Sequence, residues 1–105
     1  MQDVIDEIRK FRDARGWLKY HDPKSLAGSV CIEAAELLEL FQWKDEKESR
    51  AYAAANKERV SEEIADVAIY LIELADVAGI DLTEAIRAKL VKNGVKYPVG
   101  KSDLR

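Results

Sequence analysis

Apolar positions recur every three or four residues along most of the chain, which is the repeat of an amphipathic helix. The first stripe consists of Val4, Ile5, Ile8 and Phe11. The repeat predicts four helices, over about residues 3–14, 23–44, 58–78 and 82–93. Glycine follows the first and third of these segments, and glycine commonly ends a helix.

The segments between the predicted helices carry turn and cap signals. Pro23 suits the first turn of the second helix, after the connector WLKYHDP. The polar stretch 45–57 predicts a surface loop with at most a short helical turn. Asp81 or Thr83 can cap the fourth helix, and Asn93 with Gly94 is expected to end it. The tail that follows is expected to be extended or irregular.

The composition agrees with an all-α fold. The chain of 105 residues has only 5 Gly and 2 Pro, and Ala, Leu, Glu and Lys dominate it. Its length predicts a single domain over residues 1–105 with one modest core. We expect a deep ligand pocket to require a second subunit.

The charge pattern excludes several classes of partner. The net charge is −3, from 17 basic and 20 acidic residues, and no basic stripe indicates nucleic-acid binding. No apolar run approaches the roughly 18 residues of a membrane span. The charged N-terminal sequence does not resemble a signal peptide, so we expect a cytoplasmic protein without membrane contact. The single cysteine, Cys31, is predicted to be a buried free thiol.

Two pairs of acids stand three residues apart in the second and third predicted helices. They are Glu33 with Glu36, and Glu63 with Asp66. Residues at this spacing share one helix face. At about 100° per residue, Leu40 projects between Glu33 and Glu36, so these acids lie on an apolar stripe. One such pair is common on surface helices, whereas two pairs on apolar stripes favour a functional cluster.

Up to four negative charges in an apolar setting need a counter-charge. Arg59 is the basic residue that projects close to them, near Asp66. Mg²⁺ binds a few carboxylates together with substrate phosphates, and it is therefore the predicted cofactor. The single histidine, His21, lies in a connector, which disfavours a di-iron bundle or a zinc site. Glu39 can either cap the site or face solvent.

The chain resembles the all-α nucleoside triphosphate pyrophosphohydrolases of the MazG-like superfamily. Three runs of sequence together carry the resemblance: EAAELLELFQWK, SEEIADVAIYLIELADVAGIDL and KLVKNGVKYPV. The connector RGWLKYHDPKSL resembles the branch that contains the dCTP pyrophosphatases. The resemblance covers residues 11–99. It implies a four-helix bundle-type fold completed by homodimerisation, with homodimers or homotetramers. It also implies Mg²⁺-dependent hydrolysis of nucleoside triphosphates, with Mn²⁺ as a substitute.

The resemblance also assigns roles to individual residues. The implied metal-binding and catalytic residues are Glu33, Glu36, Glu63 and Asp66. The implied substrate-binding residues are Trp17 and Trp43 around the base, and Tyr70, Lys89 and Asn93 at the nucleotide. Lys44 is a further candidate for contact with the triphosphate. Ile8 stands where some members carry a histidine that faces the base, which leaves the base preference open.

Together with this resemblance, the sequence predicts hydrolysis of nucleoside triphosphates, with dCTP-like nucleotides as the preferred substrates. The products are the monophosphate and pyrophosphate, and the expected role is nucleotide-pool house-cleaning. In this reaction Glu33 or Glu36 removes a proton from water, which attacks the α-phosphorus. One alternative is the same reaction on dATP, dUTP or a modified nucleotide. Another alternative is a non-catalytic helical dimer that binds nucleotides.

Overall fold

The computed structural model describes residues 1–100, which form five α-helices and one short 3₁₀ helix. The α-helices are α1 (Gln2–Ala14), α2 (Pro23–Glu39), α3 (Glu46–Ala55), α4 (Lys57–Val77) and α5 (Leu82–Lys96). The 3₁₀ helix Leu18–Tyr20 lies between α1 and α2. No strand occurs between residues 1 and 100, which confirms the all-α class. Over the same range, every helix is too short or too polar to cross a membrane.

Several of the predicted helix ends are confirmed. Gly16 and Gly79 follow α1 and α4 with φ angles of 65° and 70°, which glycine adopts without strain. Asp22 caps α2 by accepting a hydrogen bond from the backbone N–H of Ser25 at 2.9 Å. Of the two candidates at the start of α5, Asp81 is the cap. These local signals fix where the chain turns between α4 and α5.

The predicted end of α2 is wrong, because the helix stops at Glu39 rather than near residue 44. After it, the backbone N–H groups of Leu40 and Phe41 donate three residues back, at 3.2 and 2.9 Å. Such bonds tighten the chain into a 3₁₀-type turn. The Lys44 ammonium then donates to the carbonyl oxygen of Leu40 at 2.7 Å, which satisfies a carbonyl at the helix end.

The predicted loop after α2 is also wrong, since it contains the ten-residue helix α3. Asp45 accepts a hydrogen bond from the Glu48 backbone N–H at 2.8 Å, and Glu48 accepts one from the Asp45 N–H at 3.1 Å. This reciprocal pair is a capping box, which satisfies two free donors at the start of a helix. The polar composition of the segment predicts a loop, whereas the acids three residues apart at Asp45 and Glu48 mark the start of a helix.

The predicted end of α5 at Asn93 and Gly94 is wrong, because the helix continues to Lys96. Gly94 keeps ordinary helical geometry, so this glycine does not serve as a left-handed cap. The carbonyl of Asn93 instead accepts from the Tyr97 N–H at 2.7 Å. Residues 98–100 are non-helical, as expected for the tail, and the remainder of the predicted tail lies outside the described residues.

The central helix is α4, which packs against α2, α1 and α3. The buried apolar residues of the described chain are Leu26, Ile72 and Ala75, which form a small core. Many other large apolar side chains are exposed, and no residue of α5 is buried. Cys31 is exposed, so the predicted burial of its thiol is wrong in the single chain. The apolar stripes are therefore covered only in part.

Candidate functional site

The packing of α2 against α4 brings three of the predicted acids together. One carboxylate oxygen from each of Glu33, Glu36 and Glu63 lies within 4.8 Å of the other two. Asp66, the fourth predicted acid, is not part of this group. Its charge nevertheless acts on Glu33. The two helices thus assemble the acids from both three-residue motifs at one place.

The electrostatics of the three-glutamate cluster are those of crowded like charges. The pKa of Glu33 is raised, first by a side-chain hydrogen bond with Glu36 and then by burial. The charges of Glu36, Asp66 and Glu63 add to this increase in the pKa. A nearby like charge disfavours ionisation because the two charges repel each other. A counter-charge at this place would relieve the repulsion.

Two oxygens of the cluster lack the partners that buried carboxylates usually have. Glu33 Oε2 and Glu63 Oε2 are buried without a hydrogen-bond partner among residues 1–100. Nearly all buried polar atoms in proteins have such a partner. An all-oxygen set of carboxylates suits a hard divalent cation such as Mg²⁺. The residues present therefore fit the expected metal ion, and their free oxygens would provide ligand atoms for it.

Glu63 is partly neutralised within its own helix. Arg59 Nη1 lies 2.5 Å from Glu63 Oε1, and the side chain of Glu63 is only 6 % exposed. Sequence reasoning placed Arg59 near Asp66 and did not identify the pair with Glu63. The four-residue spacing could have indicated it, since residues at that spacing are neighbours on a helix. Glu63 Oε1 thus accepts a hydrogen bond from Arg59, while Oε2 has no hydrogen-bond partner in the described part of the chain.

A cleft of about 660 Å³ lies between α1 and α4, beside the acids. Its wall includes Asp66 and two of the predicted substrate-binding residues, Trp17 and Tyr70. Trp17 meets Phe11 edge to face, with ring centroids 5.8 Å apart. Burial raises the pKa of Tyr70, and the charge of Glu33 raises it further. The cleft therefore places an aromatic wall next to Asp66, whose charge acts on the three-glutamate cluster.

Four predicted substrate-binding residues lie elsewhere in the described chain. Trp43 is 88 % exposed. Lys44 is held by its bond to Leu40 and lies 4.4 Å from the centroid of the Tyr52 ring. Lys89 is exposed on α5, and Asn93 is half-buried on the same helix. These four residues do not line the cleft between α1 and α4, and their roles at the nucleotide stay predictions.

Sequence reasoning missed one polar pair, of which Glu73 lines the cleft and His21 lies behind it in the connector before α2. His21 Nδ1 lies 2.8 Å from Glu73 Oε2, and both side chains are about nine-tenths buried, at 11 % and 10 % exposure. Burial raises the pKa of Glu73, while the charges of His21 and Arg12 act in the opposite direction. Both atoms are buried, and neither makes a well-aligned hydrogen bond with any residue between 1 and 100. Glu73 could have been noticed because it lies on the same helical stripe as Asp66.

A second charged cluster ties α1 to α4 next to the cleft. Arg12 is 7 % exposed and donates to Asp76 Oδ2 at 3.0 Å. Arg9 donates to the other oxygen of Asp76. These bonds lower the pKa of Asp76, with Arg9 making the larger contribution. The cluster fixes the position of α1, which carries one wall of the cleft.

Comparison with known proteins adds independent information. The MazG-like family model matches residues 29–104. The chain is 38 % identical over 104 residues to dCTP pyrophosphatase 1 of Mus musculus, covering 93 % of this chain and 61 % of that protein. It is 35 % identical over 103 residues to dCTP pyrophosphatase 1 of Homo sapiens, covering 92 % and 61 %. The chain thus spans about three-fifths of the length of these mammalian relatives.

A solved structure is similar over almost the whole chain. It is a pyrophosphatase from Archaeoglobus fulgidus with a TM-score of 0.89 and 54 % sequence identity. The match covers 93 % of this chain and 92 % of that one. The arrangement of helices around the acidic cluster is therefore that of a known fold.

Proposed function

Because this chain belongs to the MazG-like family, we propose that it is a nucleoside triphosphate pyrophosphohydrolase acting on dCTP-like substrates. The observation that carries the proposal is the three-glutamate cluster with two buried, unpartnered carboxylate oxygens. The names of the mammalian relatives and of the archaeal structure support the reaction and the substrate class. The products are the nucleoside monophosphate and pyrophosphate, and the role is removal of unwanted nucleotides.

The proposed cofactor is Mg²⁺, with Mn²⁺ as a substitute, held by Glu33, Glu36, Glu63 and Asp66. When bound, a divalent cation offsets the charge of the triphosphate and acidifies water. Asp66 belongs to both features of the site, since it lines the cleft and acts on Glu33. It can therefore complete the ligand set on the side from which the substrate enters.

The chain's own residues carry the remaining steps. Water attacks the α-phosphorus, its proton passes to Glu33 or Glu36, and the bond to the bridging oxygen breaks to release pyrophosphate. The aromatic wall of the cleft, with Trp17, offers a flat surface on which a base can stack. Tyr70 lines the same cleft and is close enough to the acids for the charge of Glu33 to raise its pKa, so it can contact the sugar. The cleft thus orients the nucleotide with its phosphates towards the acids.

The proposed assembly is a homodimer or homotetramer in which helices of two copies form a four-helix bundle. Ile32 and Leu38 of α2 are 62 % and 58 % exposed, and Val91 of α5 is 70 % exposed. Apolar surface of this extent on a small domain favours association. A second copy would also cover Trp43 and could bring it, with Lys44, Lys89 and Asn93, to a nucleotide site. We further propose that residues 1–105 act as one domain in the cytoplasm.

The test is a panel of ribo- and deoxynucleoside triphosphates with Mg²⁺, in which monophosphate, pyrophosphate and orthophosphate are quantified. The proposal expects pyrophosphate, with dCTP among the best substrates. The Glu63→Gln variant should lose at least about 100-fold in kcat/KM, since a metal ligand is removed. Glu62→Gln is the matched control, because Glu62 is an exposed carboxylate on the same helix. Orthophosphate as the product, or full activity of Glu63→Gln, would contradict the proposal.

The same panel separates this function from its alternatives. Preferred turnover of dATP, dUTP or a modified nucleotide would keep the reaction and change the substrate. Nucleotide binding without turnover would indicate a non-catalytic dimer. The cluster of three acids disfavours that reading, because holding like charges together without a reaction to serve destabilises the fold.

A further inference from the structure

Glu73 is a buried carboxyl group in the wall of the cleft, at some distance from the acidic cluster. The residue is 8 % exposed. Its neighbours along the cleft wall include Ile8, Phe11 and Trp17, which present apolar or aromatic surface. A carboxyl group in such a wall is costly to bury, and its presence therefore requires an explanation.

The two oxygens of Glu73 are in different situations. Oε2 is buried 2.8 Å from His21 Nδ1, a close polar contact without a well-aligned hydrogen bond. Oε1 accepts no hydrogen bond from the part of the chain that the structure describes. Arg12 is near enough to influence Glu73, but it donates to Asp13 and Asp76 instead. Oε1 is therefore available to a ligand as a hydrogen-bond acceptor.

The position of Glu73 along α4 matches the length of a nucleotide. Asp66, Tyr70 and Glu73 are spaced by four and three residues, so they share one face of the helix. A rise of about 1.5 Å per residue places Glu73 roughly 10 Å along the axis from Asp66. This separation is comparable with that between the α-phosphate and the far edge of a pyrimidine. A nucleotide with its phosphates at the acids would thus bring its base to Glu73.

We propose that Glu73 selects the base, by accepting a hydrogen bond at Oε1 from an exocyclic amino group. Cytosine carries an amino group at position 4, whereas uracil carries an oxo group there. An oxo group facing Oε1 would place two acceptors together and leave both without a hydrogen bond. His21 is the positioning residue, because its Nδ1 lies 2.8 Å from Oε2 and so limits how the carboxyl group that carries Oε1 can turn. The inference rests on the proposed function and adds a specificity-determining residue to it.

The test compares dCTP with dUTP, which differ at position 4 and at the neighbouring ring nitrogen. The measured quantity is the ratio of their kcat/KM values with Mg²⁺ for wild type, Glu73→Gln and the control Glu62→Gln. An amide can turn its N–H₂ towards an oxo group, so Glu73→Gln should accept both bases. We expect the preference for dCTP to fall at least about tenfold in this variant, mainly because dUTP turnover rises. Glu62→Gln should retain the wild-type ratio.

Two outcomes would overturn the inference. These are a wild type that does not prefer dCTP, and a folded Glu73→Gln variant with an unchanged ratio. If Glu73→Gln lost its helical circular dichroism, the ratio of kcat/KM for dCTP and dUTP would be measured in Glu73→Leu instead. Leucine suits the apolar wall and cannot accept a hydrogen bond. Binding of dCMP and dUMP, measured by calorimetry, tests the base preference without turnover. Failure of all nucleotides to release pyrophosphate would instead contradict the proposed function, and the binding comparison would still decide the role of Glu73.

Discussion

Arg59 and Glu63 form an ion pair within α4 that leaves one carboxylate oxygen of Glu63 buried and unpartnered. The arginine side chain is 54 % exposed, whereas that of the glutamate is 6 % exposed. The pair therefore spans the boundary between solvent and the acidic cluster. It neutralises part of the cluster's charge and keeps Glu63 oriented before a cation or a substrate binds.

Removal of this ion pair should make the protein more dependent on metal. Arg59→Gln should lower the stability of the metal-free protein by about 1 kcal/mol, since Glu63 loses its charged donor. Mg²⁺ should restore more stability to this variant than to wild type. Thermal melts in EDTA and in Mg²⁺ measure both effects. The control is Arg50→Gln, whose pair with Glu46 is exposed on both sides and should contribute little. Equal melting shifts in the two variants would contradict the expectation.

Crowding of the glutamates predicts that the metal-free protein loses stability as the pH rises. The pKa of Glu33 is higher in the folded chain than its ordinary value of 4.5. As the pH rises, the carboxyl group of Glu33 therefore loses its proton in the unfolded state before it does so in the folded state. The free energy of unfolding falls as the pH rises from 4.5 to the folded pKa, and the loss is complete above it. Melts of wild type and Glu33→Gln in EDTA over a pH series test the effect.

The comparison should separate Glu33 from other glutamates of α2. Above the folded pKa, Glu33→Gln should melt at a higher temperature than wild type in EDTA, and should lose the stabilisation by Mg²⁺. Glu39→Gln is the matched control, because Glu39 is exposed on the same helix. A wild-type response to Mg²⁺ in Glu33→Gln would mean that Glu33 is not a ligand.

The contact of Asp76 with two arginines predicts a loss of stability at acid pH. The pKa of Asp76 is lowered, mainly by hydrogen bonds from Arg9 and Arg12. Its contribution to stability is therefore complete above the ordinary pKa of 3.8 and is lost as the pH falls through the lower folded value. At neutral pH, Asp76→Asn should cost about 2–3 kcal/mol, because buried Arg12 loses one of its two charged partners.

Chemical denaturation at neutral and acid pH measures this contribution. The difference between wild type and Asp76→Asn should shrink at acid pH, where Asp76 is protonated in both states of the wild type. Asp6→Asn is the control, since Asp6 is exposed and contacts Arg9 at 3.5 Å. A difference that did not change with pH would show that packing, and not charge, determines the effect.

The exposed apolar residues of α5 predict that this helix takes part in self-association. Leu90 is 62 % exposed and Val95 is 80 % exposed. Leu90→Glu should shift the molecular mass measured by light scattering towards the monomer, because a charge would have to be buried in the interface. The control is Ala51→Glu on α3, where the native side chain is small and exposed. A monomeric wild type would contradict the proposed assembly.

The extent to which sequence predicted the fold depends on the kind of signal. Apolar periodicity identified α1, α2, α4 and α5, since each helix has to present an apolar face. It missed α3, because the polar composition of the segment predicts a loop although Asp45 and Glu48 form a capping box. It also placed the end of α5 at Asn93 and Gly94, although a glycine can remain within a helix when its neighbours continue it.

The candidate site could also be predicted only in part, because local sequence signals identify some of its contacts and others depend on the path of the chain. The meeting of Glu33, Glu36 and Glu63 could be anticipated, because two three-residue motifs on neighbouring helices have few other ways to be neutralised. The pair of His21 and Glu73 could not, because its geometry depends on the path of the connector that contains the 3₁₀ helix. No local pattern in the sequence specifies that path.

The continuity of α4 has a consequence for how this site can change over evolution. Asp66 and Glu73 are joined by about two uninterrupted helical turns, so in the proposed binding mode α4 would set the distance between the phosphates and the base. If so, substitutions along this stretch of α4 would alter which base is accepted without altering the length of the helix. Insertion of one residue between these two positions would rotate Glu73 by about 100° relative to Asp66 and move it 1.5 Å farther away. We therefore expect relatives to differ in side chains along this stretch and to preserve its length.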